Sequence, residues 1–185
     1  MSRPRDARGW LLALSALVIV LDRITKLWVS KHVGLDDIMV VIPRFFAISH
    51  VMNPGAAFSM FSYTAHPERT RWLLTAFSIV VAIVVLVLLL RVGRRLTLTS
   101  FALALVLGGA IGNVWDRIVY GTVIDFLAFH ILHYHWPDFN LADSAIVVGG
   151  ILLLLDSLRP RHHEKAAVQT EPENQSEDAT SPPGA

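Results

Sequence analysis

Four long apolar blocks, separated by short charged segments, decide what this chain can fold into. They run from Trp10 to about Val29, from Trp72 to Leu90, from about Leu98 to Val119, and from about Leu141 to Leu158. The hydrocarbon core of a bilayer is about 30 Å thick and takes about 20 apolar helical residues to cross. Each block has that length or nearly so. The second is the cleanest, with no charged residue between Arg71 and Arg91. Only 17% of all residues are charged, against roughly a quarter in soluble domains. The pattern predicts an all-α membrane protein of four transmembrane helices, one domain over residues 1–158.

Arg3, Arg5 and Arg8 before Leu11–Leu21 resemble the start of a secretory signal peptide. The apolar run passes, however, into Asp22-Arg23-Ile24-Thr25-Lys26 and on to Val29 without a small-residue cleavage site. It is read as a retained first span. Basic residues then set the orientation: Arg3, Arg5 and Arg8 precede span one, Arg91, Arg94 and Arg95 join spans two and three, and Arg159, Arg161 and Lys165 follow span four. The positive-inside rule places these segments, and both termini, in the cytoplasm. Two loops, about 30–70 and about 120–140, face outward. The first contains β-branched and aromatic runs, Ile38–Ile42 and Phe45–Val51, broken by Pro43 and Asn53-Pro54-Gly55. Such runs predict short strands, a small extracytoplasmic β-rich element lying on the membrane surface. From residue 159 the chain is a cytoplasmic tail whose Glu, Gln, Ser, Thr and Pro content predicts disorder.

Several function classes fall away. No basic run is interleaved with aromatics, which sets nucleic acid aside. The chain has no cysteine, which removes disulfides, thiolate nucleophiles and cysteine metal sites.

Charged side chains inside a span cost about 2.5–3.5 kcal/mol each on insertion scales and ask for a partner or a purpose. Asp22 and Lys26 lie four apart on one helix face, and at about 1.5 Å per residue Asp22 sits roughly 10 Å inside the outer end of its span. They are either an internal ion pair or polar groups facing a site. Gly109, Gly112, Asn113 and Asp116 form a small-and-polar stripe on span three, and Gly108 with Gly112 makes a GxxxG packing face. Asp125 stands between Ile124 and Phe126 with no local reason for its charge, and Asp143 lies in the first turn of span four. Asn140 and Asp143 have capping-box spacing, so Asp143 alone has a structural explanation. As a pair at one depth, Asp125 and Asp143 point to proton chemistry. Two weaker patterns are present. His130, His133 and His135 form a loose HxxHxH that suits a solvated loop better than zinc. Nothing brings Lys26 to Ser144 for a Ser/Lys peptidase. Two rival classes stay open: a proton or solute transporter using Asp22, Asp116 and Asp125, and a non-catalytic assembly subunit packing through its glycines.

Five blocks in order, Asp22–Lys26, Asn53–Ser59, Gly108–Arg117, Val123–Phe126 and Phe139–Ser144, resemble the lipoprotein signal peptidase (signal peptidase II) family of bacteria. The resemblance covers roughly residues 10–158. It implies an inner-membrane aspartic endopeptidase with no cofactor or metal. The enzyme would remove the signal peptide from diacylglyceryl-modified prolipoproteins, cutting just before the lipidated cysteine. It further implies Asp125 and Asp143 as the catalytic pair, and Asp22, Lys26, Asn53, Gly55, Asn113, Asp116, Arg117 and Asn140 as supporting residues around substrate and pair. Globomycin-type cyclic peptides inhibit such enzymes. In this scheme Asp143, at a helix N-terminus, is expected to be the ionised member and Asp125 the protonated one.

Overall fold

The computed structural model describes residues 6–55, 67–131 and 134–159. The order of elements is α1 (Arg8–His32), β1 (Ile38–Ile42), β2 (Phe46–Asn53), α2 (Pro67–Val92), α3 (Leu98–Val119), β3 (Val123–Ile131), β4 (Tyr134–Phe139) and α4 (Leu141–Ser157). The four helices contain the four apolar blocks, with α1 starting and ending beyond the expected span. Two of them, α2 over Glu68–Val92 and α3, are long and apolar enough to cross a membrane. In α1 the charged residues Asp22, Arg23 and Lys26 interrupt the apolar run, and α4 is 17 residues long.

Helix α3 is the centre of the bundle and packs against α1, α2 and α4. Its glycines explain why. A Cβ on Gly108 would lie 2.8 Å from the Ser15 carbonyl oxygen of α1, and one on Gly109 would overlap the Ala142 carbonyl oxygen of α4. Only hydrogen fits between backbones this close. Away from the site, Leu11, Val85, Leu89, Leu103, Ala104 and Leu107 form an apolar core shared by α1, α2 and α3. Outward-facing side chains are also apolar: Leu73 is 71% exposed and Phe77 68%. Surfaces of that kind suit lipid rather than water.

The strands form one antiparallel sheet in the order β1-β2-β3-β4. The segment 120–140, expected as a loop, thus supplies half of the sheet. Its β3–β4 hairpin pairs with β2, Val51 opposite Asp125 and Asn53 opposite Val123. The two faces of β3 are both covered. Phe126 packs on Val29 and Val33 at the end of α1, while alternate residues Val123, Asp125, Phe129 and Ile131 line a cavity. At the other edge all five β1 residues are exposed, Ile38 and Val40 by about 60%. Gly121 makes the turn from α3 into β3 with φ 81°, a conformation that favours glycine.

Candidate active site

Asp125 and Asp143 arrive in one cavity from different elements. The cavity has a volume of about 760 Å³ and lies between the sheet, α2 and α4, with α3 behind it. Its walls are mostly apolar and aromatic, including Phe45, Phe77, Phe129, Trp136 and Phe139, and its polar lining includes Asn53, Asn113, Arg117, Asp125 and Asp143.

Asp143 is held as a helix-capping residue. Asn140 caps α4: its Oδ1 accepts the Asp143 N–H at 2.9 Å, and the Asn140 N–H points back to Asp143 Oδ2 at 3.4 Å. The other oxygen, Oδ1, accepts from Asn113 Nδ2 at 2.7 Å. The capping box and the cavity-facing carboxylate are therefore one arrangement: the residue that closes the box also lines the cavity.

Asp125 is 2% exposed and receives two amide donors, Asn53 Nδ2 on Oδ2 at 2.8 Å and Asn140 Nδ2 on Oδ1 at 2.7 Å. Burial, and then the nearby Asp143 carboxylate, push the Asp125 carboxyl up to about 7 in spite of these donors. Asn140 is fully buried and serves both aspartates, capping the helix of one while its amide holds the other. Asn53 is fixed in turn by the Gly55 N–H, which donates to its Oδ1 at 2.9 Å. Arg117 donates to the carbonyls of Gly55 and Asn113, at 3.3 Å and 3.5 Å, so its charge stands near the pair without sitting on either carboxylate.

Behind these residues lies a buried ionic cluster. Lys26 contacts Asp22 at 2.8 Å and Asp116 at 2.7 Å, and Arg23 contacts Asp116 at 2.6 Å. Asp22 and Lys26 are an ion pair, and both reach beyond it: Lys26 donates to Asn113 Oδ1 at 3.3 Å and Asp22 accepts the Ala142 N–H at 3.0 Å.

Of the remaining sequence candidates, Ser144 lines the same cavity, and His130 and His135 lie on the β3–β4 hairpin. Ser144 donates its hydroxyl to the Asn140 carbonyl, while Lys26 is engaged by Asp22, Asp116 and Asn113. His130 and His135 face each other on the β3–β4 hairpin, ring centroids 4.6 Å apart, and His133 lies outside the described residues. His135 Nε2 is 3.1 Å from Asp138, which also accepts from Ser49 at 2.7 Å. Neither Ser49 nor Asp138 stood out in the sequence, nor did the aromatic wall of Phe45, Phe129, Trp136 and Phe139. These side chains are brought together by sheet pairing alone, which leaves no spacing signal.

Comparison with known proteins gives the family. A family model described as Signal peptidase (SPase) II matches residues 14–159. The chain belongs to the signal peptidase II family. Among curated relatives of this signal peptidase II member, a lipoprotein signal peptidase of Pseudomonas putida is 46% identical over 157 residues, covering 84% of this chain and 90% of the relative. One from Paraburkholderia phytofirmans is 47% identical over 148 residues, covering 80% and 84%. Two solved structures, each described as a bacterial membrane enzyme structure obtained by the in meso method, share the fold. The first has a TM-score of 0.72 at 26% identity and covers 90% of this chain and 98% of its own. The second has a TM-score of 0.67 at 27% identity and covers 86% and 99%. This signal peptidase II chain is thus a bacterial membrane enzyme in fold and family.

Proposed function

We propose that the chain is an aspartic endopeptidase that removes the signal peptide from diacylglyceryl-modified prolipoproteins, using Asp125 and Asp143 as its catalytic pair. The observation that carries the reading is the convergence of these two carboxylates in one cavity, bridged by Asn140. Peptide hydrolysis by such a pair needs one member ionised and one protonated. Asp143, stabilised at the α4 N-terminus, takes a proton from water as the water oxygen attacks the scissile carbonyl carbon. Asp125, carrying a proton near neutral pH, donates it to the carbonyl oxygen. Collapse of the tetrahedral species breaks the C–N bond: the proton that Asp143 took from water leaves with the amine, and a hydroxyl proton of the diol returns to Asp125. Arg117 and Asn53 stand where they can orient the substrate backbone.

The cavity suits a lipid-modified substrate. Apolar walls accept acyl chains or the apolar signal segment, and covering the site limits water and strengthens the electrostatics within it. Contacts at one end of the bundle support four membrane spans with both termini in the cytoplasm. The Ala7 N–H donates to the Arg94 carbonyl, and Thr99 bonds Asp156, so the start of α1, the α2–α3 turn and the end of α4 lie together there. The aspartates lie toward the opposite end. Between Arg8 and Asp22, Arg71 and Arg91, Leu98 and Trp115, and Ser144 and Leu155 there is no charged side chain. A proton relay therefore has no ionisable station through the inner half, which disfavours transport.

The test is cleavage of a diacylglyceryl-modified prolipoprotein by the purified protein in detergent, comparing wild type with Asp125→Asn and Asp143→Asn. Loss of at least about 100-fold in either folded variant is expected. Unimpaired cleavage by both would remove the pair and return attention to Ser144 and the histidines.

A further inference from the structure

We infer that Lys26 is a positioning residue that sets the two aspartates relative to one another, a role that rests on the aspartic reading and goes beyond charge balance in the fold. Its ammonium group has three N–H donors and three acceptors around it, and the side chain is fully buried. Each acceptor leads to the catalytic pair by a different route. The first is Asp22 Oδ2, at 2.8 Å; Asp22 Oδ1 accepts the N–H of Ala142, the residue before Asp143, at 3.0 Å. The second is Asp116 Oδ2, at 2.7 Å; the same oxygen faces the N–H of Ile124, the residue before Asp125, at 3.4 Å. One ammonium therefore grips two carboxylates, and each carboxylate holds the N–H of the residue that precedes one aspartate.

The third acceptor is Asn113 Oδ1, at 3.3 Å, and this contact fixes which way an amide points. With its oxygen turned to Lys26, and to Asn140 Nδ2 at 3.2 Å, Asn113 has its NH2 directed at Asp143 Oδ1. The flipped amide would set an NH2 group against an ammonium, two donors with no acceptor between them. Lys26 thus decides that Asp143 meets a donor. Its charge also favours the carboxylate form of Asp125.

A merely structural lysine would make different predictions. Asp22, Arg23, Lys26 and Asp116 balance as two negative and two positive groups, with Arg23 on Asp116. Replacing Lys26 by Met and Asp22 by Asn together keeps the balance, and the amide oxygen introduced by Asp22→Asn can still accept the Ala142 N–H. If Lys26 only neutralises charge, that double variant should work normally. The positioning role predicts that it does not.

The experiment measures kcat and KM against pH for the full-length protein in detergent, with thermal unfolding monitored alongside. For Lys26→Met/Asp22→Asn we expect a folded protein with kcat lowered about 100-fold and KM little changed. The acidic limb of the kcat profile should move upward by about one pH unit, because the carboxylate form of the pair loses its nearest buried cation. The charged groups around Lys26 are Asp22 and Arg23 on α1, Asp116 and Arg117 on α3, Asp125 on β3 and Asp143 on α4; of the two other cations, Arg23 is held on Asp116 and Arg117 is tied to carbonyls. Lys26→Gln, which keeps two N–H donors but leaves the Asp22 carboxylate without its cation, should displace the limb further in the same direction. An unmoved acidic limb with kcat within about threefold of wild type would overturn the inference. So would failure of both variants to fold, which would assign Lys26 to the fold rather than the site. Asp125→Asn and Asp143→Asn are assayed beside them. If those two remain active, the aspartic reading itself has failed; if they are inactive while the double variant is normal, only the role of Lys26 has.

Discussion

Asp125 shows how a local environment converts a common side chain into an acid. A carboxyl in water is ionised well below neutral pH. Here its burial, and the Asp143 carboxylate beside it, raise it to about 7, against the two amide donors that favour the anion. Two measurements follow. If Asp125 donates the proton, kcat/KM should fall as pH rises through about 7, because the free enzyme loses its acid. The same shift has a thermodynamic sign. The native state keeps this proton where the unfolded chain has lost it, so between about pH 4 and pH 7 folding binds more protons, and stability falls as pH rises. Wild type should therefore unfold at a lower temperature at pH 8 than at pH 5, by several degrees from this group. That difference should shrink in Asp125→Asn, whatever the absolute stability of the variant. The sign of the slope is the useful readout, since Asn at 125 also turns an NH2 toward one of the two amides that now donate to it. The sequence already made Asp125 conspicuous, because a charge between Ile124 and Phe126 has no local partner. No spacing or periodicity showed that Asn53, 72 positions away, would supply one; only the family resemblance put Asn53 near the pair.

At the scale of elements, close approach of α3 to α4 determines where Asp143 stands. Gly109 lets the α3 backbone meet the first turn of α4, and a Cβ there would overlap the Ala142 oxygen and lie 2.8 Å from the Ile146 side chain. Gly109→Ala must push α4 away, displacing the residue next to Asp143. Overpacking of this kind costs about 1–3 kcal/mol, and activity should fall further than stability, because Asp143 loses its register with Asn113 and Asp125. Gly150 is the control: a Cβ added there would meet nothing within 4 Å. Gly150→Ala should be neutral or stabilising by roughly 0.5–1 kcal/mol, with activity unchanged. Thermal unfolding and cleavage assays on the two variants separate these outcomes. The helices themselves were legible as apolar blocks, and the glycine stripe announced a tight interface. The hairpin of β3 and β4 was not, since Tyr134–Phe139 contains Pro137 and no clear alternation. It becomes a strand because β3 offers a paired edge, with Phe129 opposite Trp136 and His130 opposite His135. Tertiary pairing overrides a weak local preference.

The whole molecule divides along its long axis into a chemically silent end and a chemically active one. Basic residues gather at the turn joining α2 to α3, at the start of α1 and just after α4, while the polar network fills the region under the sheet. Exposed tryptophans mark both boundaries: Trp10 near the basic end, and Trp28, Trp72 and Trp115 near the sheet. Rings of this kind favour the level of the headgroups. The exposed apolar strand β1 continues the same boundary at the sheet's edge. If the bundle spans the inner membrane with its sheet outside, the site meets a substrate at the outer leaflet, where a lipidated cysteine would lie. The absence of cysteine from the chain makes this directly measurable, because any introduced thiol is the only one. Lys31 is exposed near the sheet end of α1, and Leu96 is exposed at the basic end. In intact spheroplasts a membrane-impermeant maleimide should label Lys31→Cys and leave Leu96→Cys unlabelled until the membrane is opened. Both variants keep the arginines that set the orientation. Labelling of Leu96→Cys alone would invert the molecule and carry the aspartates to the cytoplasmic leaflet. Labelling of both without permeabilisation would mean that the basic end does not face the cytoplasm as the positive-inside rule requires. With the expected pattern, depth, charge and apolar cavity walls all direct the same two carboxylates to a peptide bond held at the membrane's outer surface.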